Sequence, residues 1–361
     1  LPLQTIKKKE INMNSICYEN YQQIKQQFPD KHARDLANQL NITEAELLYH
    51  RVGYDDAKRL SGNLPELLHA LSTIGQAKAI TRNDYVVNIQ TGLYDNPRFS
   101  DHAGLFLNPG QLDLRMFFAQ WDSMFTLTEQ IGNKIRHSIQ FFDKNGDAIH
   151  KVYTCEHTDM NVWQDIITHY TSTDNPPLQL DTVLSFSDNE ISDETKQQIE
   201  QQWRDMSNVH QFFTLLKAHN LSRQQIFRIV SNELAWQVPT NSLSQLLSLA
   251  HQAKNEIMLF VGNRGCVQIF TGVINKISSL RIESSQTDWL NASSNDFNLH
   301  IIENGISECW VTRKPTQDGF VTSLEVFDNQ GNQIIQMYGQ RTEGVPEQAL
   351  WNQQILSLPH I

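Results

Sequence analysis

The chain repeats itself, and this constrains its fold more than any other feature of its 361 residues. Leu114-Arg115-Met116-Phe117 aligns with Leu299-His300-Ile301-Ile302, and Ser138-Ile139-Gln140-Phe141-Phe142-Asp143 with Ser323-Leu324-Glu325-Val326-Phe327-Asp328. Gly146, Ile149 and Tyr153 fall on Gly331, Ile334 and Tyr338, all at one offset of 185 without a gap. Upstream the offset is 180, where Thr91-Gly92 falls on Thr271-Gly272 and Asn83 on Asn263. Further upstream it is 179, and Asn41-Ile42-Thr43-Glu44-Ala45-Glu46 falls on Asn220-Leu221-Ser222-Arg223-Gln224-Gln225. Each copy of that hexapeptide reads as a reciprocal capping box. Thr43 or Ser222 caps a helix, and Glu46 or Gln225 three residues on bonds back. The length accommodates two units of ordinary domain size.

Each half reads as helices, then strands. Residues 20–75 and 197–255 carry apolar residues at helical spacing with capping signals, while 77–155 and 256–340 carry short β-rich runs such as Tyr85-Val86-Val87-Asn88-Ile89 and Cys266-Val267-Gln268-Ile269-Phe270. Asp143-Lys144-Asn145-Gly146 and Asp328-Asn329-Gln330-Gly331 are expected as hairpin turns ending in glycine. A short helix around Trp163 closes the first half. Residues 171–195 are polar, contain Pro176-Pro177 and read as a linker. The expectation is an α+β fold built as a tandem repeat, 20–170 and 196–361, joined by 171–195.

Charge and composition narrow the function. Hydrophobic residues are 39% and charged residues 19%, an ordinary globular mixture. The formal net charge of −11 opposes a nucleic-acid backbone, and the one basic run, Lys7-Lys8-Lys9, reads as a solvated tail. No stretch approaches the roughly 18 apolar residues a membrane helix needs, and no apolar segment of a secretory signal follows the N-terminal lysines. Cys17, Cys155, Cys266 and Cys309 are far apart and form no C-x-x-C, so a reducing cytoplasm is expected.

No dinucleotide fingerprint, P-loop, H-E-x-x-H or G-x-S-x-G is present. His210 and His219 are nine residues apart, a rotation of about 900° on one helix, so they do not pair on a metal. Comparing the halves is more informative. Arg223 stands where the first copy has Glu44, Lys314 where it has Glu129, Arg341 where it has Glu156, and His210 where it has Lys31. Drift on solvated surfaces produces such changes, and so does an anion site confined to the second half. Ser207 reads as an N-cap, which puts His210 in a first helical turn with Phe213 one turn on. A lone histidine beside aromatics is either structural or a metal ligand through one neutral ring nitrogen.

From about residue 20 to 358 the sequence resembles the bacterial hemin-degrading and hemin-transport family, the cytoplasmic haem-utilisation proteins of enteric bacteria. The resemblance is carried by Met206-Ser207-Asn208-Val209-His210-Gln211-Phe212-Phe213, Asn220-Leu221-Ser222-Arg223-Gln224-Gln225, Arg313-Lys314-Pro315-Thr316-Gln317-Asp318-Gly319 and Tyr338-Gly339-Gln340-Arg341-Thr342-Glu343-Gly344-Val345-Pro346-Glu347. It implies two repeats, each with helices and a large antiparallel sheet, the sheets stacked centrally and haem between the halves. It further implies that His210 is the axial ligand of the haem iron and that Arg115 faces the opposite side of the haem. Arg223, Lys314, Gln336, Tyr338 and Arg341 would surround the propionates, with Phe213 and Met258 as apolar contacts. The implied function is cytoplasmic haem degradation that releases iron after haem import, with an external electron donor. The alternative is a non-catalytic chaperone that delivers haem to a separate haem oxygenase. Partners would be haem itself, a haem importer, and a reductase or haem oxygenase, with no membrane insertion and no nucleic acid.

Overall fold

The computed structural model describes residues 13–181, 191–283 and 286–361. The Lys7-Lys8-Lys9 run and residues 182–190 of the expected linker lie outside the described residues. The first half supplies helices α1 (Met13–Gln27), α2 (Ala33–Leu40), α3 (Glu44–Arg51), α4 (Leu64–Ala70) and α5 (Met160–Tyr170). Its strands are β1 (Ala57–Leu60), β2 (Gly75–Arg82), β3 (Val86–Leu93), β4 (Pro97–Phe99), β5 (Ala103–Phe106), β6 (Asp113–Phe117), β7 (Trp121–Ile131), β8 (Lys134–Asp143) and β9 (Ala148–Thr158). The second half repeats the order. Its helices are α6 (Asp193–Arg204), α7 (Gln211–His219), α8 (Arg223–Phe227), α9 (Ser242–Ala253) and α10 (Ala349–Leu356). Its strands are β10 (Ala235–Val238), β11 (Ile257–Gly262), β12 (Cys266–Gly272), β13 (Lys276–Ile282), β14 (Thr287–Ser293), β15 (Phe297–Ile302), β16 (Glu308–Thr316), β17 (Gly319–Phe327) and β18 (Gln333–Gly339).

The local signals read from the sequence form the expected structures. Thr43 and Ser222 each accept from the backbone N–H three residues on, and Glu46 and Gln225 return the bond. Asp143 accepts from the N–H groups of Asn145 and Asp147, and Asp328 from those of Gln330 and Asn332, which closes both hairpin turns. Gly146 sits at φ +83° against the α3 cap, where a Cβ would lie 2.4 Å from the Thr43 hydroxyl. Glycine is therefore required there for both the turn and the docking of α3.

The strands form two nine-stranded antiparallel sheets, ordered β1-β7-β8-β9-β2-β3-β15-β14-β13 and β10-β16-β17-β18-β11-β12-β6-β5-β4. The two orders are the same under the repeat, so the fold has an internal pseudo-two-fold. Each sheet holds six strands of its own half and three from the other. β6 pairs with β12, setting Arg115 against Val267, and β15 pairs with β3, setting His300 against Val87.

Exchange makes the two cores mutual. In one, Leu67 and Leu71, Trp163 and Ile167 from α5, and Ala77 and Ile139 from the first sheet meet Leu114, Met116 and Cys266 of the second. In its counterpart, Leu243 and Leu247 of α9, Trp351 and Ile355 of α10, and Leu259 and Met337 of the second sheet meet Leu290, Leu299 and Ile301 of the first. Each fully buried leucine or isoleucine contributes about 1.5–3 kcal/mol. Neither core closes unless the other half sends its strands across.

Polar groups fix how the sheets meet. The Asn83 amide donates to the carbonyls of Gly262 and Ile334, and the Asn263 amide to those of Arg82 and Ile149. Each side-chain oxygen also accepts two N–H groups of its own hairpin. Deeper in, Asn88 donates to the Gln268 carbonyl, and Gln268 donates to the Asn88 side chain and the Ala79 carbonyl. Beside them the His150 ring lies between the Tyr94 and Thr81 hydroxyls at 2.8 and 2.9 Å, and burial pushes its pKa down to about 3.

Two predictions follow from this interface. Asn83→Ala or Asn263→Ala should each lower unfolding free energy by about 1–3 kcal/mol, measured by urea denaturation. The double variant should be non-additive, because each amide binds a carbonyl next to the other asparagine. His150, with a folded pKa far below its unfolded value of about 6.5, stays neutral while the unfolded chain takes up a proton. Stability should be complete above pH 6.5 and fall on acidification by about 1.4 kcal/mol per pH unit from this group alone. His150→Gln should flatten that slope, and an unchanged slope would refute the assignment.

Candidate functional site

The strands β16, β17 and β18 carry apolar residues on one face and a polar row on the other. Val311, Leu324, Val326, Ile335 and Met337 enter the core. In register on the other face stand Thr312 and Lys314, then Ser323 and Glu325, then Gln336 and Tyr338. Helices α6, α7 and α8 lie over the upper part of that row, with Trp203, Phe212, Phe227 and Trp310 in one aromatic cluster.

A cleft of about 1080 Å³ opens beside this row. Arg115, His210, Phe213, Arg223, Met258, Lys314, Gln336, Tyr338 and Arg341 all line it. Residues scattered from 115 to 341 in sequence thus converge on one space. Arg115 arrives through the exchange: it belongs to the first half by sequence and to the second sheet by pairing. Its guanidinium is bound to the Asp113 carboxylate and donates to the Leu114 carbonyl. Burial raises the Asp113 pKa, and the neighbouring Arg115 opposes the rise.

His210 differs from its expected setting. Helix α7 starts at Gln211, so His210 is the residue before the helix rather than part of its first turn. Ser207 is not the cap. The Asn208 side chain instead accepts from the His210 N–H at 2.8 Å, and the Gln211 side chain accepts from the N–H groups of Ser207 and Asn208. This turn fixes the His210 backbone. The ring is exposed and has no hydrogen-bond partner among the described residues, which leaves both nitrogens open. Phe213 stays at the rim, 57% exposed, although it lines the cleft.

The expected cationic cluster requires a correction. Glu325 is fully buried behind it. Lys314 donates to Glu325 Oε1 at 2.8 Å, and Arg223 approaches both carboxylate oxygens at 3.0 and 3.2 Å. Gln333 donates to Oε2 at 2.8 Å and Gln336 at 3.4 Å. Burial lowers the Lys314 pKa even beside this carboxylate. Burial alone would raise Glu325, but Arg223 and Lys314 outweigh it and hold the carboxyl below its usual range. Tyr338 is pushed up by burial and donates to Gln336. Arg341 lies 3.8 Å from Asp318, apart from this network.

The acidic residues of the first half are compensated too. Glu44 accepts from Lys151 at 2.5 Å, and Glu129 pairs with Arg51 and Arg136 at 3.1 and 3.0 Å. Lys151 aligns with Gln336, and Gln140 with Glu325. The repeat has relocated its ion pairs rather than simply reversed its sign. The change from Gln140 to Glu325, in the segment that defines the repeat, is the sequence signal of this relocation.

A profile of the haemin-degrading HemS/ChuX domain matches residues 41–170 and again 220–358. The chain belongs to the HemS/ChuX family. It is 53% identical over 346 residues to the hemin transport protein HemS of Yersinia enterocolitica, covering 96% of this chain and 98% of that one. The heme-degrading enzyme ChuS of Escherichia coli O157:H7 superposes with TM-score 0.89 at 48% identity, over 96% of this chain and 99% of that one. Holo-PhuS, a heme-binding protein of Pseudomonas aeruginosa, superposes with TM-score 0.89 at 32% identity, with the same coverage. In this HemS/ChuX chain the His210 segment lies between the two matched stretches. Among the described residues no helix is long and apolar enough to cross a membrane.

If the first-half charges are structural ion pairs, Glu44→Gln leaves Lys151 buried without a partner. It should cost about 3–5 kcal/mol. Glu156 is exposed, and Glu156→Gln should cost no more than about 0.5 kcal/mol. Thermal denaturation of the two variants side by side checks the contrast.

Proposed function

We propose that the chain binds one haem in this cleft, with His210 as the axial ligand of its iron. The observation that carries the reading is the convergence of all nine family-implied positions on one space, among them the exposed His210 imidazole with no hydrogen-bond partner among the described residues. Phe213 and Met258 would flank the porphyrin. Arg341, at the cleft wall and loosely paired, would meet one propionate in fork geometry, and Arg223, Lys314, Gln336 and Tyr338 would meet the other. Arg115 would face the iron from the opposite side and orient a small distal ligand by donation. It stays protonated and so is a poor acid or base.

The activity proposed is opening of the haem ring with release of iron, in the cytoplasm after haem import. Ring opening needs an oxidant, dioxygen or a peroxide, together with electrons from an external donor; haem supplies the redox centre, and the chain supplies a ligand, orientation and a walled site. The ChuS relative, described as a heme-degrading enzyme, favours this reading. PhuS, described as heme-binding, favours the alternative, a chaperone that hands haem to a separate oxygenase. An importer and a reductase or oxygenase would be the protein partners.

Two measurements test the proposal. Titration should saturate at about one haem per chain, because the position of His210 is Lys31 in the first half and that of Phe213 is Arg34. His210→Ala should change the haem spectrum while circular dichroism stays the same, and an unchanged spectrum would show that another residue binds the iron. For activity, haem-loaded protein receives an electron donor in the presence of catalase. Loss of the haem spectrum with a tetrapyrrole product and free iron establishes degradation, and stable haem released only to a partner establishes the chaperone.

A further inference from the structure

The carboxylate of Glu325 is the unassigned feature of this site. It is completely buried and receives two cations, two amides and a hydroxyl: Lys314, Arg223, Gln333, Gln336, and Ser323 at 3.3 Å. Four of these donors line the cleft, while Glu325 and Ser323 do not. The donors therefore stand between Glu325 and any ligand, so that an incoming carboxylate meets their front while Glu325 holds them from behind. Aromatic rings complete the cage. The Lys314 ammonium lies 4.9 Å from the Phe212 ring, and the Arg223 guanidinium 5.1 Å from the Phe213 ring.

One carboxylate cannot neutralise two cations, and the Arg223–Lys314–Glu325 group keeps one net positive charge. We propose that Glu325 is an internal counter-ion that sets the affinity of the cleft for carboxylate-bearing ligands. It keeps Lys314 and Arg223 from being buried unpaired and weakens their hold on a ligand carboxylate by sharing them. The inference rests on the haem reading above and adds a residue that sets specificity through Arg223 and Lys314.

The first half offers a contrast within the same fold. There the position of Glu325 is Gln140, and the buried lysine, Lys151, is bound by Glu44 from the helix that covers the row. That carboxylate sits on the cleft-equivalent side and occupies the cation outright. In the second half the carboxylate has moved into the sheet, and the helix position holds Arg223 instead. Moving the counter-ion from the helix into the sheet leaves Arg223 and Lys314 lining the cleft.

The test compares haem with haem dimethyl ester, which has the same ring and no carboxylates, on the wild-type chain, Glu325→Gln and Glu325→Asp. Affinities are read by competition with apomyoglobin at about pH 6, on the acidic side of neutrality because burial lowers the Lys314 pKa. Glu325→Gln should bind haem on the order of tenfold more tightly than wild type, with no gain for the ester. Its melting temperature without ligand should fall, and the rise on adding haem should exceed that of wild type. Glu325→Asp, which pulls the charge back from the cations, should lie between the two and keeps the test decidable if the glutamine variant does not fold. Equal or weaker haem binding by a folded variant, or an equal gain for the ester, overturns the counter-ion role. Failure of the wild-type chain to bind haem at all would instead overturn the haem reading.

Discussion

The reciprocal amide bridges of Asn83 and Asn263 are the constraint on which the rest of the architecture depends. Each asparagine closes its own hairpin with its oxygen and ties that hairpin to the opposite sheet with its nitrogen. Backbone carbonyls buried between two sheets need donors, and an amide held at a fixed turn provides them in one relative orientation only. Apolar packing between sheets is permissive in angle and offset. The amide bridges are not, so they select the arrangement in which β4–β6 and β13–β15 reach the opposite sheet.

The site inherits that choice. His210 and its turn come from the second half, and the polar row from β16–β18 of the same half. Arg115 reaches the cleft only because β6 joins β12. A chain folded as two separate repeats would leave Arg115 on its own sheet, away from His210. The strand exchange is thus the step by which a duplicated fold forms one composite cleft, with walls drawn from both halves.

Electrostatics follow the same logic. Among the described residues most buried charges are ion-paired, and Asp328 is held by N–H donors instead, as an uncompensated ion in such surroundings is too costly. The halves satisfy the rule differently. Glu44 reaches down from a helix to Lys151 in the first, while Glu325 reaches across the sheet to Lys314 and Arg223 in the second. The same polar row is closed by its own helix in one copy and left with donors facing a cleft in the other.

Much of this was legible in the residues. The repeat, both capping boxes, the glycine turns at Gly146 and Gly331, and the helix around Trp163 rest on short-range patterns whose physics lies within a few residues, and sequence alone determined them. The family resemblance likewise named nine positions that line the cleft. Tertiary structure decided what depends on distant pairing. Sequence could not say that β6 belongs to the second sheet, because strand partners are chosen by edge and face rather than by chain order. It did not make Glu325 the partner of Lys314 and Arg223, because side chains on one sheet face come from strands far apart in the chain. It also placed His210 inside a helix that begins one residue later, because the side chain of Gln211, not that of Ser207, captures the free N–H groups of the turn. A local pattern can propose a charge or a cap, but whether a group is available to a ligand is settled by which neighbours the fold has already bound to it.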